Sequence, residues 1–172
     1  MIAQGATALV SFGLAGGLDP VLRPGTVIVP SGVLSDGATL ATDPRLAACF
    51  GGLTGHMSLA GATVVAEAAA KRRLFATTHA HAIDLESGPV ARIAQAHKLP
   101  FVVVRAICDP AERDLPPAAL VALDPNGGIG LRPLIRSLLR QPGQIIGLLT
   151  LARDAALARR ALIGVSRQFT AP

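Results

Sequence analysis

Apolar residues along this chain fall into short runs cut by glycine, proline and acidic residues, the pattern of buried strands alternating with short helices. Thr7–Phe12 is one such run, and it stops at Gly13-Leu14-Ala15-Gly16-Gly17, which predicts a buried strand running into a glycine loop. Val27–Pro30 reads as a second strand, too close behind the first for a crossover helix, with the Arg23-Pro24-Gly25 corner making a short connection. Asp43-Pro44 has the form of an N-cap followed by proline at the first helical position, opening a short helix that fades at Gly51-Gly52. Ala62–Val65 reads as a strand and Glu67–Phe75 as a helix by propensity.

A βαβ unit follows: strand Ala80–Leu85, helix Pro89–His97 after Ser87-Gly88, and strand Phe101–Ile107. A crossover of that length predicts two parallel strands whose carboxyl ends share one sheet edge, where open α/β folds place their ligands. From Pro116 the pattern turns helical, over Pro116–Leu123, Leu131–Leu139 and about Gln144 to Phe169, the last interrupted at Gly147 and Gly164. The segments Asp124–Gly128 and Gln141–Gly143 are loops. The fold class is therefore α/β with a mixed central sheet between helical layers, in one domain spanning residues 1–172.

Composition narrows the function classes. Half the residues are hydrophobic (51%), yet none of the apolar runs approaches the roughly 18 residues that span a bilayer. Aromatic residues make up 3%, too few for the stacking platforms of single-stranded nucleic-acid binders, so no nucleic-acid partner is expected despite the net charge of +5. Much of the positive excess lies at Arg132, Arg136, Arg140, Arg153, Arg159, Arg160 and Arg167, among leucines, where a solvated helix face is the plain reading and attraction to acidic headgroups the sharper one. Cys49 and Cys108 have no framework or metal-ligand spacing, and no signal pattern follows Met1, so a reduced, cytoplasmic setting is expected. No metal is expected: His79 and His81 would share a strand face, but no third ligand accompanies them.

Three polar features fall at strand ends: the glycine loop, the acidic pair Asp84-Leu85-Glu86, and Arg105 with Asp109 around Cys108. A break at Leu85 would turn Glu86 alone into a cleft. Arg105 stands inside an apolar strand and needs a carboxylate partner or a ligand; a buried stabilising pair and a functional group both satisfy that need. Asp109, just past the strand and before Pro110, is placed to donate a proton.

These segments carry a resemblance. Val10–Pro20 with Arg23–Val29, Ile83-Asp84-Leu85-Glu86 and Phe101–Asp109 resemble, in order and spacing, the corresponding motifs of methylthioadenosine/adenosylhomocysteine nucleosidases within the nucleoside phosphorylase/nucleosidase superfamily. Asp84–Ser87, Asp109–Leu120 and Ser137–Gln144 are similar to the hopanoid-associated phosphorylases, so the resemblance covers essentially the whole chain. It implies a phosphorylase/nucleosidase-like three-layer sandwich and cleavage of the N-glycosidic bond of an adenine nucleoside, adenosylhopane in that subfamily. Glu86 would hold the ribose hydroxyls, Leu85 would pack on the sugar, and Arg105 would orient Glu86 and the nucleophile. Asp109 would protonate the purine, and Leu14, Ala15, Gly16 and Cys108 would line the substrate site. No cofactor is implied beyond phosphate as co-substrate; a homodimer is.

The departures bear on activity. Ser11 and Leu14 stand where phosphorylases of the superfamily often carry an arginine and a hydroxyl residue, and Cys108 replaces a serine. The resemblance also implies that family elements preceding the segment at Met1, with a water-activating glutamate, are missing here. The competing expectation is therefore a non-catalytic nucleoside-binding or oligomerising remnant. A dinucleotide fingerprint does not fit, because the glycine spacing is wrong and the loop leads to a strand. Ile145, Ile146, Leu148, Leu149 and Leu151 beside arginines could shelter a lipid-like tail or meet a membrane surface, core or dimer packing being the commoner use of such residues.

Overall fold

The computed structural model describes residues 5–122, 141 and 143–168. Seven strands form one mixed sheet: β1 Leu9–Gly17, β2 Val27–Ile28, β3 Gly32–Ser35, β4 Ala38–Ala41, β5 Met57–Ala60, β6 Ala82–Asp84 and β7 Phe101–Asp109. Five helices accompany them among the described residues: α1 Pro44–Ala48, α2 Ala68–Thr78, α3 Ser87–Ala96, α4 Pro117–Ala122 and α5 Gln144–Gln168. The strand order is β2-β7-β1-β6-β5-β3-β4. β1 runs parallel to β7, and β5 is parallel to both β3 and β6, whereas β2/β7, β1/β6 and β3/β4 are antiparallel.

β7 is buried along almost its whole length, as a strand covered on both faces should be. Alternation divides its side chains between two cores. Val102, Val104 and Ala106 pack with Ala47 of α1 and with Ala158 and Leu162 of α5. Phe101 and Val103 pack with Val33 and with Ala91 and Ala94 of α3 on the opposite face. Helices thus cover both sides of the sheet, the mixed α/β class that the sequence predicts.

Several local expectations are corrected. Gly13–Gly17 is the second half of β1 and not a loop. Its glycines are needed for closeness: a Cβ on Gly13 would stand 3.0 Å from Arg105 Nη1, and one on Gly17 3.3 Å from Ile107 Cγ2. The strands of the βαβ unit are neither neighbours nor parallel. β1 lies between them, pairing with β7 through Ala15 and, past a register shift at Ala15/Gly16, through Gly16 with Asp109, while Gly16 and Gly17 also meet Ile83 and Ala82 of the antiparallel β6. The strand placed at Ala62–Val65 is β5, earlier in the chain at Met57–Ala60. β2 is confined to Val27–Ile28 and pairs with β7.

The Asp43 N-cap is present, its carboxylate accepting from the backbone of Arg45 and Leu46. α5 runs unbroken through Gly147 and Gly164; a Cβ at Gly147 would meet Pro116 Cγ at 2.9 Å, so this glycine lets α5 lie against the start of α4. The helix expected at Leu131–Leu139, the loop Asp124–Gly128 and Arg132, Arg136 and Arg140 lie outside the described residues, whereas Arg153, Arg159, Arg160 and Arg167 are exposed on α5. Among the described residues no helix is long and apolar enough to cross a membrane.

Candidate active site

Asp84 ends β6, and its side chain folds back to start α3. Oδ1 accepts from the backbone N–H of Glu86 at 3.0 Å and of Ser87 at 2.6 Å, satisfying donors that the first turn of a helix leaves free. The same oxygen accepts from Arg105 Nη2 at 2.8 Å, and Oδ2 accepts from Ser58 Oγ at 3.0 Å. Both side chains of this ion pair are 1% exposed. Burial alone would push the Asp84 carboxyl up, but the Arg105 hydrogen bond and charge, with the Ser87 donors, hold it below the usual carboxylate range. Arg105 also donates to Ser11 Oγ at 2.7 Å.

The chain bends at this cap, separating the two acids of the motif. Asp84 is buried at the cavity wall, while Glu86 keeps 70% of its side chain exposed with Oε2 3.5 Å from Arg105 Nη2. Arg105 therefore contacts both acids, pairing with the buried Asp84 and lying 3.5 Å from Glu86.

Asp109 ends β7 in different company. Its Oδ2 accepts from Lys71 Nζ at 2.5 Å, in a pair whose side chains are 0% and 9% exposed. Burial raises the Asp109 carboxyl above its usual range, against the opposing pull of Lys71 and Arg113. The thiol of Cys108 is pushed up to about 11, chiefly by burial and then by the Asp109 charge, so it is no thiolate nucleophile at neutral pH. Lys71 was not singled out in the sequence, where it is one cation in a basic run; the signal was its place on the otherwise alanine-rich first turn of α2.

The cavity between these groups has a volume of about 720 Å³, in the range of small-ligand sites. Every residue expected to contact substrate lines it: Leu14, Ala15, Gly16, Leu85, Glu86, Cys108 and Asp109. Arg105 does not line it and stands behind Asp84 and Glu86. The opposite wall is apolar, built from Val64, Leu115, Leu148, Leu149 and Ala155 among others, so α5 supplies much of it. His79 caps α2 in a left-handed conformation, so it shares no strand face with His81. His81 Nδ1 accepts from Met57 N, and its ring meets that of His56 edge-on at 5.0 Å. Among the described residues no group of three or more potential ligands could hold a metal ion.

The mixed seven-stranded sheet matches the fold of nucleoside phosphorylase and nucleosidase structures. Residues 56–123 match the model of the Phosphorylase superfamily, a segment that runs from β5 through β7 to α4. Among solved structures, a mutant of 5′-methylthioadenosine/S-adenosylhomocysteine nucleosidase from Helicobacter pylori, with 5′-methylthioadenosine in its active site, superposes with a TM-score of 0.61 at 17% identity, over 97% of this chain and 71% of that one. The same enzyme with butyl-thio-DADMe-Immucillin-A gives a TM-score of 0.62 at 17% identity, with the same coverages of 97% and 71%. A futalosine hydrolase mutant from H. pylori gives a TM-score of 0.57 at 20% identity over 63% of this chain; the matched part is 60% of that protein's length. A comparison with the curated proteins returned no match.

Proposed function

We propose that this protein cleaves the N-glycosidic bond of an adenine nucleoside carrying a bulky apolar 5′ substituent, releasing adenine. The observation that carries the reading is a single cavity holding both Glu86 and Asp109 beside an apolar wall. Glu86 accepts hydrogen bonds from the ribose hydroxyls. Leu85, 40% exposed, packs on the sugar, and Arg105 holds Glu86 in place. Asp109 is suited to general acid work, because a carboxyl raised by burial keeps its proton nearer neutral pH and can pass it to the purine as the bond breaks. The leaving base then departs neutral instead of as an anion.

Ser11 is 4% exposed and its hydroxyl accepts from Arg105, and Leu14 brings no hydroxyl, which favours water over phosphate as the acceptor. Adenosylhopane is the specific substrate that the sequence resemblance points to, and the apolar α5 wall is consistent with a tail of that kind. The same reading includes a homodimer and contact with a membrane surface, supported by Val10 and Phe12 exposed on β1 and by Ile146, 75% exposed, on α5.

The test is adenine release from 5′-methylthioadenosine and 5′-butylthioadenosine, with and without phosphate. Sugar 1-phosphate marks phosphorolysis and free sugar at an unchanged rate marks hydrolysis. Three added methylenes at about 0.8 kcal/mol each should favour the butyl compound by up to about 60-fold in kcat/KM. Leu148→Glu should remove that preference. Binding of both compounds without adenine release would assign a non-catalytic nucleoside-binding role instead.

A further inference from the structure

Lys71 is the one lysine in the fully buried core, and the functional reading leaves it without a task. Its three ammonium protons have three acceptors: Asp109 Oδ2 at 2.5 Å, the Pro110 carbonyl at 3.1 Å and the Arg113 carbonyl at 2.9 Å. The surrounding backbone is pinned as well. Asp114 Oδ1 accepts from Ala68 N at 2.7 Å at the start of α2, and Leu115 N donates to the Ala66 carbonyl at 2.8 Å. The first turn of α2 and the segment 110–115 thus form one frame around the end of β7.

An ammonium has donors and no acceptor. A protonated Asp109 therefore cannot place its hydrogen on Oδ2, which faces Lys71, and must carry it on Oδ1. Among the described residues no donor reaches Oδ1, and Asp109 lines the cavity.

We propose that Lys71 is the positioning residue for Asp109: it confines the acidic proton to the carboxyl oxygen free to face the ligand, and it fixes the pH range over which that proton is held. This rests on Asp109 being the general acid. In the step, the hydrogen on Oδ1 passes to a purine ring nitrogen. The glycosidic electron pair goes to the base, and phosphate, or water that sheds a proton to solvent, bonds to the anomeric carbon; solvent later returns a proton to Asp109. The carboxylate left behind is at once paired with the ammonium. Other charges bearing on Asp109 are Arg113 and, on α5, Asp154; Cys108 adjoins it on β7, Glu86 and Asp84 share the cavity, and β1 brings the uncharged Gly16 and Gly17 close.

The experiment compares wild type, Lys71→Met, Lys71→Arg and Asp109→Asn in adenine release from 5′-methylthioadenosine across pH, with folding checked by circular dichroism. In Lys71→Met, kcat should fall by up to about 100-fold with a much smaller change in KM, as for a misplaced catalytic group. The descending high-pH limb should move upward by about 1–3 pH units, because an opposite charge at contact has been removed. Lys71→Arg should restore part of the rate and return the limb toward wild type. An inactive Asp109→Asn beside a Lys71→Met variant with wild-type kcat and pH profile overturns the positioning role alone. A fully active Asp109→Asn overturns the functional reading and this inference with it. Failure of both Lys71 variants to fold assigns the lysine to structure and also overturns the inference.

Discussion

Two buried carboxylates share one cavity and are held in opposite ways. Asp84 has both oxygens occupied by Arg105, Ser58 and the first backbone donors of α3, and it is depressed below the ordinary range. Asp109 has one oxygen on Lys71, the other without a described donor, and it is raised. A carboxylate surrounded by donors is a permanent anion, suited to holding architecture. One that is desolvated and half-satisfied is a carboxyl that can exchange its proton. Neighbouring groups whose environments drive their proton affinities apart are a signature of acid–base sites.

That contrast can be broken from either side. The largest effect is expected from Asp109→Asn, which should lower adenine release by about 10²–10⁴-fold while circular dichroism remains that of wild type. Arg105→Met strands Asp84 and should cost about 3–5 kcal/mol in urea unfolding, as breakage of a buried pair does. Gly13→Ala pushes a methyl against Arg105 Nη1 at 3.0 Å; overpacking of this kind costs about 1–3 kcal/mol, and the loss should be of the same order as for Ser11→Ala. The latter removes one hydrogen bond to a charged donor, about 1.5–3 kcal/mol at most, and the small cavity left lets Arg105 relax.

The pH dependence sharpens the same contrast, because the two acids act with opposite signs. The folded pKa of Asp84 lies below its unfolded value near about 3.9, so its contribution is complete above that pH and is lost as pH falls through the folded value. The folded pKa of Asp109 lies above the unfolded one, so its contribution is complete below about pH 3.9 and is lost as pH rises through the raised value. Urea unfolding against pH should show Arg105→Met flattening the acid side of the profile. Asp109→Asn should remove the decline on the other side of pH 3.9, the reference value.

Part of this was legible in the residues. The Asp43-Pro44 cap and the buried strand at Phe101 follow from local chemistry, which a linear pattern records; that Glu86 and Asp109 line one cavity does not, because the parallel pairing expected to bring them together is absent and β1 stands between their strands. The glycines of β1 were misread because their purpose is a neighbour 92 residues on: Gly13 is bare so that Arg105 fits, and no local signal tells that from a turn. The β3–β4 hairpin was missed although Asp36-Gly37, both at positive φ, is a strong two-residue turn signal. Its short strands alternate poorly, with β4 mostly exposed. The order β7-β1-β6 was not legible either, since it is set by pairings between strands far apart in sequence. Lys71 was hidden for a related reason: a cation's burial depends on the carbonyls that meet it, and those belong to the segment after β7.

The cavity wall on α5 has a tether. Asp154 accepts from Arg113 Nη1 at 2.5 Å, and the carbonyl of that arginine is one of the three acceptors around Lys71. A shift of the helix to admit a wider tail would pull on the segment that cradles the ammonium. On the proposed function, cargo size and proton delivery hang on one mechanical linkage, so that redesigning the protein for a bulkier ligand at Leu148 or Ala155 would also retune its acid.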